Sequence, residues 1–425
     1  MAKDPKTTSG LTAGDPDRPA ASDAAGSDAT NQEVNPAAAT TATAVFYRLE
    51  LDALDALLQA LVADGYQPLG PVVRDGVIVY DELRSASELP RGTSDEQEAG
   101  RYRLTKPGHD AFFAYAVGPH SWKRLLFPPR RRAWTAERVG DTVRFERDEA
   151  DATRRAFVGV RGCELAAIAV QDRVFTGGTY RDSDYESRRA HVAIIAVDCT
   201  RPARTCFCAS MGTGPQARGA FDLALTEVER NGSEHYFVVR AGSAYGERLI
   251  ARLPVREALP DEVEAADARL ARAERGMGRT LDTRDLPELL ARSFDVPLWQ
   301  SIAERCLSCT NCTMSCPTCF CSSVDDVPSL DGDRAERWRR WDSCFAADFS
   351  YIHGGPVRQS RHSRYRQWMT HKLGTWWEQY GTSGCVGCGR CITWCPVGID
   401  LTEEVAALRA YDEDHGRRDG GEEAR

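Results

Sequence analysis

An α/β domain followed by an α-helical, cysteine-rich domain, an α+β chain in sum, is the fold this sequence predicts. Three observations lead there. Between about 44 and 258, short apolar runs alternate with helical stretches in strand–loop–helix order. Residues 259–296 are charged and of helical propensity, as a connecting segment would be. Eleven of the fifteen cysteines then fall between 306 and 395.

Residues 1–43 are rich in Ala, Thr, Asp, Ser and Pro and hold no aromatic residue, the composition of a disordered tail. The stretch from Leu51 to Leu61 places Leu51, Leu54, Leu57, Leu58 and Leu61 on one helical face. Phe157 to Val160 and His191 to Val197 read as buried strands, with an Ala-rich helix from Leu165 to Val170 between them. Cys163 and Cys199 therefore follow strand ends, where open α/β sheets tend to bind ligands. The cysteine-rich domain spans about 297–410, and 411–425 reads as a polar tail.

The formal net charge of −9 argues against general nucleic-acid binding. No apolar run approaches the roughly 18–20 residues of a membrane span, and the N-terminus lacks the apolar stretch of a secretory signal. A soluble, cytoplasmic protein is expected, and clustered cysteines in a reducing compartment point to metal rather than disulfides.

Two runs share one spacing. Cys306, Cys309, Cys312 and Cys316 precede Pro317; Cys385, Cys388, Cys391 and Cys395 precede Pro396. Both match the bacterial ferredoxin run, in which three thiolates wrap one cubane and the fourth reaches the other. On that pattern Cys306, Cys309, Cys312 and Cys395 hold one [4Fe–4S] cluster. Cys385, Cys388, Cys391 and Cys316 hold a second. Zinc would favour two cysteine pairs or mixed Cys/His ligands, which this spacing does not offer. The gap from Cys316 to Cys385 is long for a ferredoxin, and a mainly helical insertion is expected there.

Cys163, Cys199, Cys206 and Cys208 number enough for a third [4Fe–4S] cluster, set against packed loop thiols. Cys319, Cys321 and Cys344 read as spare ligands, thiols beside the clusters or buried inert cysteines. Between 334 and 372, nine Lys/Arg face three acids. This basic run reads as a docking face, as compensation for negative clusters, or as a solvated helix face with ion pairs. Trp338, Trp341, Trp368, Trp376, Trp377 and Trp394 suit a core around the clusters. His353, His362 and His371 show no ligand spacing. No G-x-G-x-x-G, P-loop or nucleophile elbow occurs, so no catalytic residue and no nucleotide- or flavin-binding residue is assigned.

Several of these segments, strung together, resemble the β subunits of cytoplasmic, NAD(P)-linked [NiFe] hydrogenases of the sulfhydrogenase type. They are Leu126 to Pro129, Gly159 to Ala167, Thr205 to Pro215, Phe221 to Thr226, Cys316 to Cys321, Trp341 to Cys344, His371-Lys372 and Cys385 to Cys391. The resemblance covers about 44–410. One departure is Arg161-Gly162-Cys163-Glu164, where the family pattern has Arg-Pro-Cys-Asp. The same family includes a component of anaerobic sulfite reductases. The resemblance implies an electron-transfer subunit with no substrate site of its own. It would relay electrons between a flavin/[2Fe–2S] NAD(P)H-oxidoreductase γ subunit and the hydrogenase small (Fe–S) subunit, which serves the large (NiFe) subunit. A free ferredoxin-like carrier is the rival of another class.

Overall fold

A computed structural model describes residues 45–230 and 234–422; the tail expected over 1–43 lies outside them. The strands, in chain order, are β1 (Tyr47–Glu50), β2 (Gln67–Arg74), β3 (Val77–Glu82), β4 (Ser94–Glu98), β5 (Arg101–Thr105), β6 (Arg130–Val139), β7 (Thr142–Arg147) and β8 (Arg155–Val160). There follow β9 (Val192–Val197), β10 (Leu223–Arg230), β11 (Glu234–Ala241), β12 (Val255–Glu257), β13 (Ser322–Pro328), β14 (Arg334–Trp341), β15 (Tyr351–Ile352) and β16 (Gly355–Pro356).

Eight of them form one sheet in the order β12-β1-β11-β10-β9-β8-β2-β3. Its centre is parallel: β2 pairs β8, β8 pairs β9, and β9 pairs β10 in that sense. Strands covered on both faces need apolar side chains throughout. Accordingly β8 and β9 are buried from Ala156 and Ala193 onward. One face is covered by the helix Leu54–Ala63, which buries Leu54, Leu57, Leu58 and Leu61 beside Leu49, Phe237 and Val239. Each such leucine contributes about 1.5–3 kcal/mol when fully buried. The helix Gly162–Thr176 lies on the other face, where Leu165 and Ile168 join Trp122 and Phe157. The rings of Trp122 and Phe157 stack with centroids 4.5 Å apart.

The C-terminal part has its own apolar core, including Leu289, Trp299, Ile302, Trp368, Met369, Leu373, Ile392 and Leu401. It is drawn from the helices Leu286–Arg292, Leu298–Arg305, Arg361–Thr370, Arg390–Thr393 and Leu401–Glu422 and from the π-helical turn His371–Thr375. Three expectations are revised. The insertion between the cysteine runs is helical only in its second half; its first half holds the β13–β14 hairpin. That hairpin joins β6 and β7 in a four-stranded sheet, β13-β14-β6-β7, so the two expected domains are interleaved. The polar segment from 411 continues the last helix, and Asp412 accepts from Arg292 at 2.9 Å.

The basic run from 334 begins on a strand, not a helix. Arg337 stands opposite Asp326 and pairs with it at 2.7 Å, Arg340 pairs with Asp325, and Arg339 with Asp182. Among the described residues, no helix is long and apolar enough to cross a membrane.

Candidate metal centres

The two cysteine runs adopt one backbone. In the first, Ser308 and Thr310 take left-handed conformations (φ 53° and 68°), and a short helix, Asn311–Met314, carries Cys312. In the second, Gly387 and Gly389 occupy the same positions (φ 65° and 75°), and the helix Arg390–Thr393 carries Cys391. Left-handed residues turn backbone N–H groups inward. Ser308 N–H points to Cys306 Sγ at 3.4 Å, and Gly387 N–H to Cys385 Sγ at 3.5 Å. Ile399 N–H donates to Cys395 Sγ at 3.3 Å. Such bonds stabilise charge on sulfur. The second run has glycine where the first does not because another loop lies on it. A Cβ on Gly387 would stand 2.6 Å from Phe207 O, and one on Gly389 would stand 2.4 Å from Thr205 O.

Cys306, Cys309, Cys312 and Cys395 line one cavity, with Cys391, Phe345, Tyr365 and Trp368. Cys385, Cys388, Cys391 and Cys316 gather beside it. Burial pushes the Cys385 thiol up to about 12; Lys372 pulls the other way, and the Cys388 and Cys316 thiolates add to the rise. Burial, then Cys385, Cys388 and Cys316, raise Cys391.

Cys163, Cys199, Cys206 and Cys208 line the cavity of the third set, with Arg161 and Pro215. The sheet explains their meeting. Strands β8 and β9 are parallel neighbours, so Cys163 and Cys199 leave the sheet at the same end. The segment between β9 and β10 brings in Cys206 and Cys208. Its loop is fastened to the second cysteine run: Phe207 N–H donates to Gly387 O at 2.9 Å, and Thr213 Oγ1 to Val386 O at 2.7 Å. The set of Cys385, Cys388, Cys391 and Cys316 therefore neighbours both others: Cys388 bears on Cys163, and Cys312 on Cys391.

The donor sets fit a cubane better than a single ion. Among the described residues, no three Cys, His, Asp or Glu side chains converge closely enough to hold one metal ion. Buried donors await acceptors there. Ser308 Oγ, Tyr365 Oη and Trp368 Nε1 have no partner, and all three residues line the first cavity. Arg161 Nη1 is likewise unpaired, on a residue lining the third. Sulfide and thiolate sulfur would accept from such groups, whereas empty apolar space would leave each unsatisfied at a cost of about 1–3 kcal/mol.

Sequence reasoning missed the buried cations. Arg390 donates to Glu164 at 2.6 Å and to the carbonyls of Gly118 and His120. Lys123 and Lys372 are buried near Cys319 and Cys316. Arg390 sits inside the second cysteine run and Lys372 in the basic run, yet composition does not distinguish a buried cation from a solvated one. Cys319 and Cys321 follow Cys316, and Cys344 lies across the base of the β13–β14 hairpin from Cys321. Its hydrogen bond, followed by the charge of Lys372, draws the Cys321 thiol down to about 7 against the burial that raises it.

This fold and these sites define an iron–sulfur protein: residues 305–399 match the family described as a 4Fe-4S dicluster domain. The chain is 32% identical over 257 residues to sulfhydrogenase 2 subunit beta of Pyrococcus furiosus, covering 59% of this chain and 73% of that protein. The chain belongs to the family of sulfhydrogenase β subunits. No solved structure matches it.

Proposed function

We propose that this chain is the iron–sulfur electron-transfer subunit of a cytoplasmic, NAD(P)-linked [NiFe] hydrogenase. It takes electrons from, or gives them to, a flavin/[2Fe–2S] subunit on one side and the hydrogenase small subunit on the other. Cys306, Cys309, Cys312 and Cys395 hold one [4Fe–4S] cluster, and Cys385, Cys388, Cys391 and Cys316 a second. Cys163, Cys199, Cys206 and Cys208 hold a third. Bound clusters supply one-electron chemistry. The protein's share is to space the sites, keep water from the inner ones and donate hydrogen bonds to their sulfurs.

The contiguity of the three cysteine sets carries this reading, because neighbouring sites with a surface end are what a relay between partners needs. Cys309 is exposed, and Leu307 and Val397 beside it are 59% and 40% exposed. Apolar side chains around a near-surface centre suit a protein partner.

Anaerobic purification of the native complex, with metal analysis and identification of partners, tests the assignment. A nickel-bearing partner and a flavin subunit are expected. A sirohaem partner would make it a component of a sulfite reductase, and a lone monomer would make it a free carrier. About twelve iron atoms per chain are expected for three cubanes, against about eight for two.

A further inference from the structure

Among the described residues, two ammonium groups are buried without a carboxylate partner. Lys123 and Lys372 are each 3% exposed. Lys372 Nζ spends all three hydrogens on Cys316 Sγ at 3.3 Å, Thr318 Oγ1 at 3.1 Å and Gly384 O at 3.2 Å. Lys123 Nζ donates to Cys319 O at 3.1 Å and lies 3.8 Å from the ring centroid of Trp341. Arg390, another deeply buried cation, is neutralised by Glu164. Burying a cation is costly unless an anion faces it. What faces Lys372 is the thiol of Cys316, a member of the middle cysteine set. The backbone beneath it is π-helical over His371–Thr375, a local distortion that often marks functional positions.

We propose that Lys372, supported by Lys123, raises the midpoint potential of the cluster held by Cys316, Cys385, Cys388 and Cys391. This rests on the reading that those four thiolates hold a cluster. A cubane with four thiolates is net negative and gains one more negative charge on reduction. A fixed ammonium touching one of its sulfurs therefore stabilises the reduced form more than the oxidised form. The N–H donated to Cys316 Sγ acts in the same direction. Lys372 is thus a tuning residue that acts through Cys316, and the middle set holds an electron more readily than thiolate ligation alone would allow.

The test is an EPR-monitored redox titration of the full chain, prepared without oxygen in its native complex. Iron and acid-labile sulfide are counted on each sample, and the middle centre's signal is the one lost in Cys385→Ser. Lys372→Met with full iron is expected to shift that signal to lower potential and leave the others in place. Lys372→Arg should keep it near the wild-type value. Full iron with an unmoved potential in Lys372→Met overturns the proposal. If Lys372→Met instead loses the cluster, Lys372→Arg should retain it, and Lys123→Gln should show a smaller downward shift. Lys123→Gln at the wild-type potential then overturns the idea. A wild-type chain lacking iron and sulfide would sink the cluster assignment itself, a failure distinct from an unmoved potential.

Discussion

Arg390 Nη2 stands 2.6 Å from Glu164 Oε1, and each side chain is 1% exposed. Glu164 adjoins Cys163 and Arg390 adjoins Cys391, so this ion pair joins two of the three cysteine sets. Glu164 also accepts from Tyr80 Oη at 2.7 Å and Trp122 Nε1 at 3.2 Å. Removing one partner leaves a buried charge uncompensated, at about 3–5 kcal/mol. Glu164→Ala is expected to lose that much stability in anaerobic urea unfolding followed by tryptophan fluorescence. Replacing both, as Glu164→Leu with Arg390→Met, should recover a large part.

Gly387 is a point of close approach between the loop of Cys206 and Cys208 and the second cysteine run. Its φ is +65°, and an added Cβ would meet Phe207 O at 2.6 Å and Cys208 Cα at 2.7 Å. Gly387→Val is expected to part the two loops. Iron should fall from about twelve to about four atoms per chain, the remainder being the centre of Cys306, Cys309, Cys312 and Cys395.

Cys319, Cys321 and Cys344 are not needed to complete any of the three sets. Cys321→Ser and Cys344→Ser are therefore expected to keep full iron and labile sulfide. The hydrogen bond from Cys344 holds the Cys321 thiol below its ordinary value. Its alkylation rate should rise through neutral pH. In Cys344→Ala that rise should move up toward the ordinary thiol value of 9, since the donor of its main hydrogen bond is gone.

Glu262 caps the helix Pro260–Arg275 and ties it to the sheet edge. Burial raises its carboxyl, but hydrogen bonds from Arg256, Arg48 and Leu259 N–H outweigh this and hold it at about 2. A carboxyl lowered from 4.5 lends stability that is complete above pH 4.5 and fades as pH falls toward 2. Glu262→Gln should cost about 2–3 kcal/mol at neutral pH. The gap between variant and wild type in denaturant unfolding should narrow only below about pH 4.5.

Much of this is legible in the sequence, for identifiable reasons. The leucines from 51 to 61 and the apolar runs at 157 and 192 declare their elements because helical and strand periods differ. The two cysteine runs declare their chemistry because cubane ligation tolerates little change of spacing. The convergence of Cys163, Cys199, Cys206 and Cys208 is harder to read, since it depends on β8 and β9 lying side by side. Strand β14 reads as helix because its Arg and Glu residues favour helices, while its pairing with β13 and β6 decides the outcome. Lys372 passes for part of a surface patch, because only packing shows that its ammonium is enclosed.

Arg132 on β6 bonds to Glu336 on β14, 204 positions later in the chain. During synthesis β6 leaves the ribosome about 10–40 s before the strand that covers its edge, at ordinary elongation rates. A bare strand edge over that interval is a template for unwanted pairing with other chains. Fragments cut between 258 and 297 would keep that edge permanently, so they should aggregate when made alone and dissolve when both halves are produced together. Biogenesis, as much as redox chemistry, ties the two ends of this polypeptide into one object.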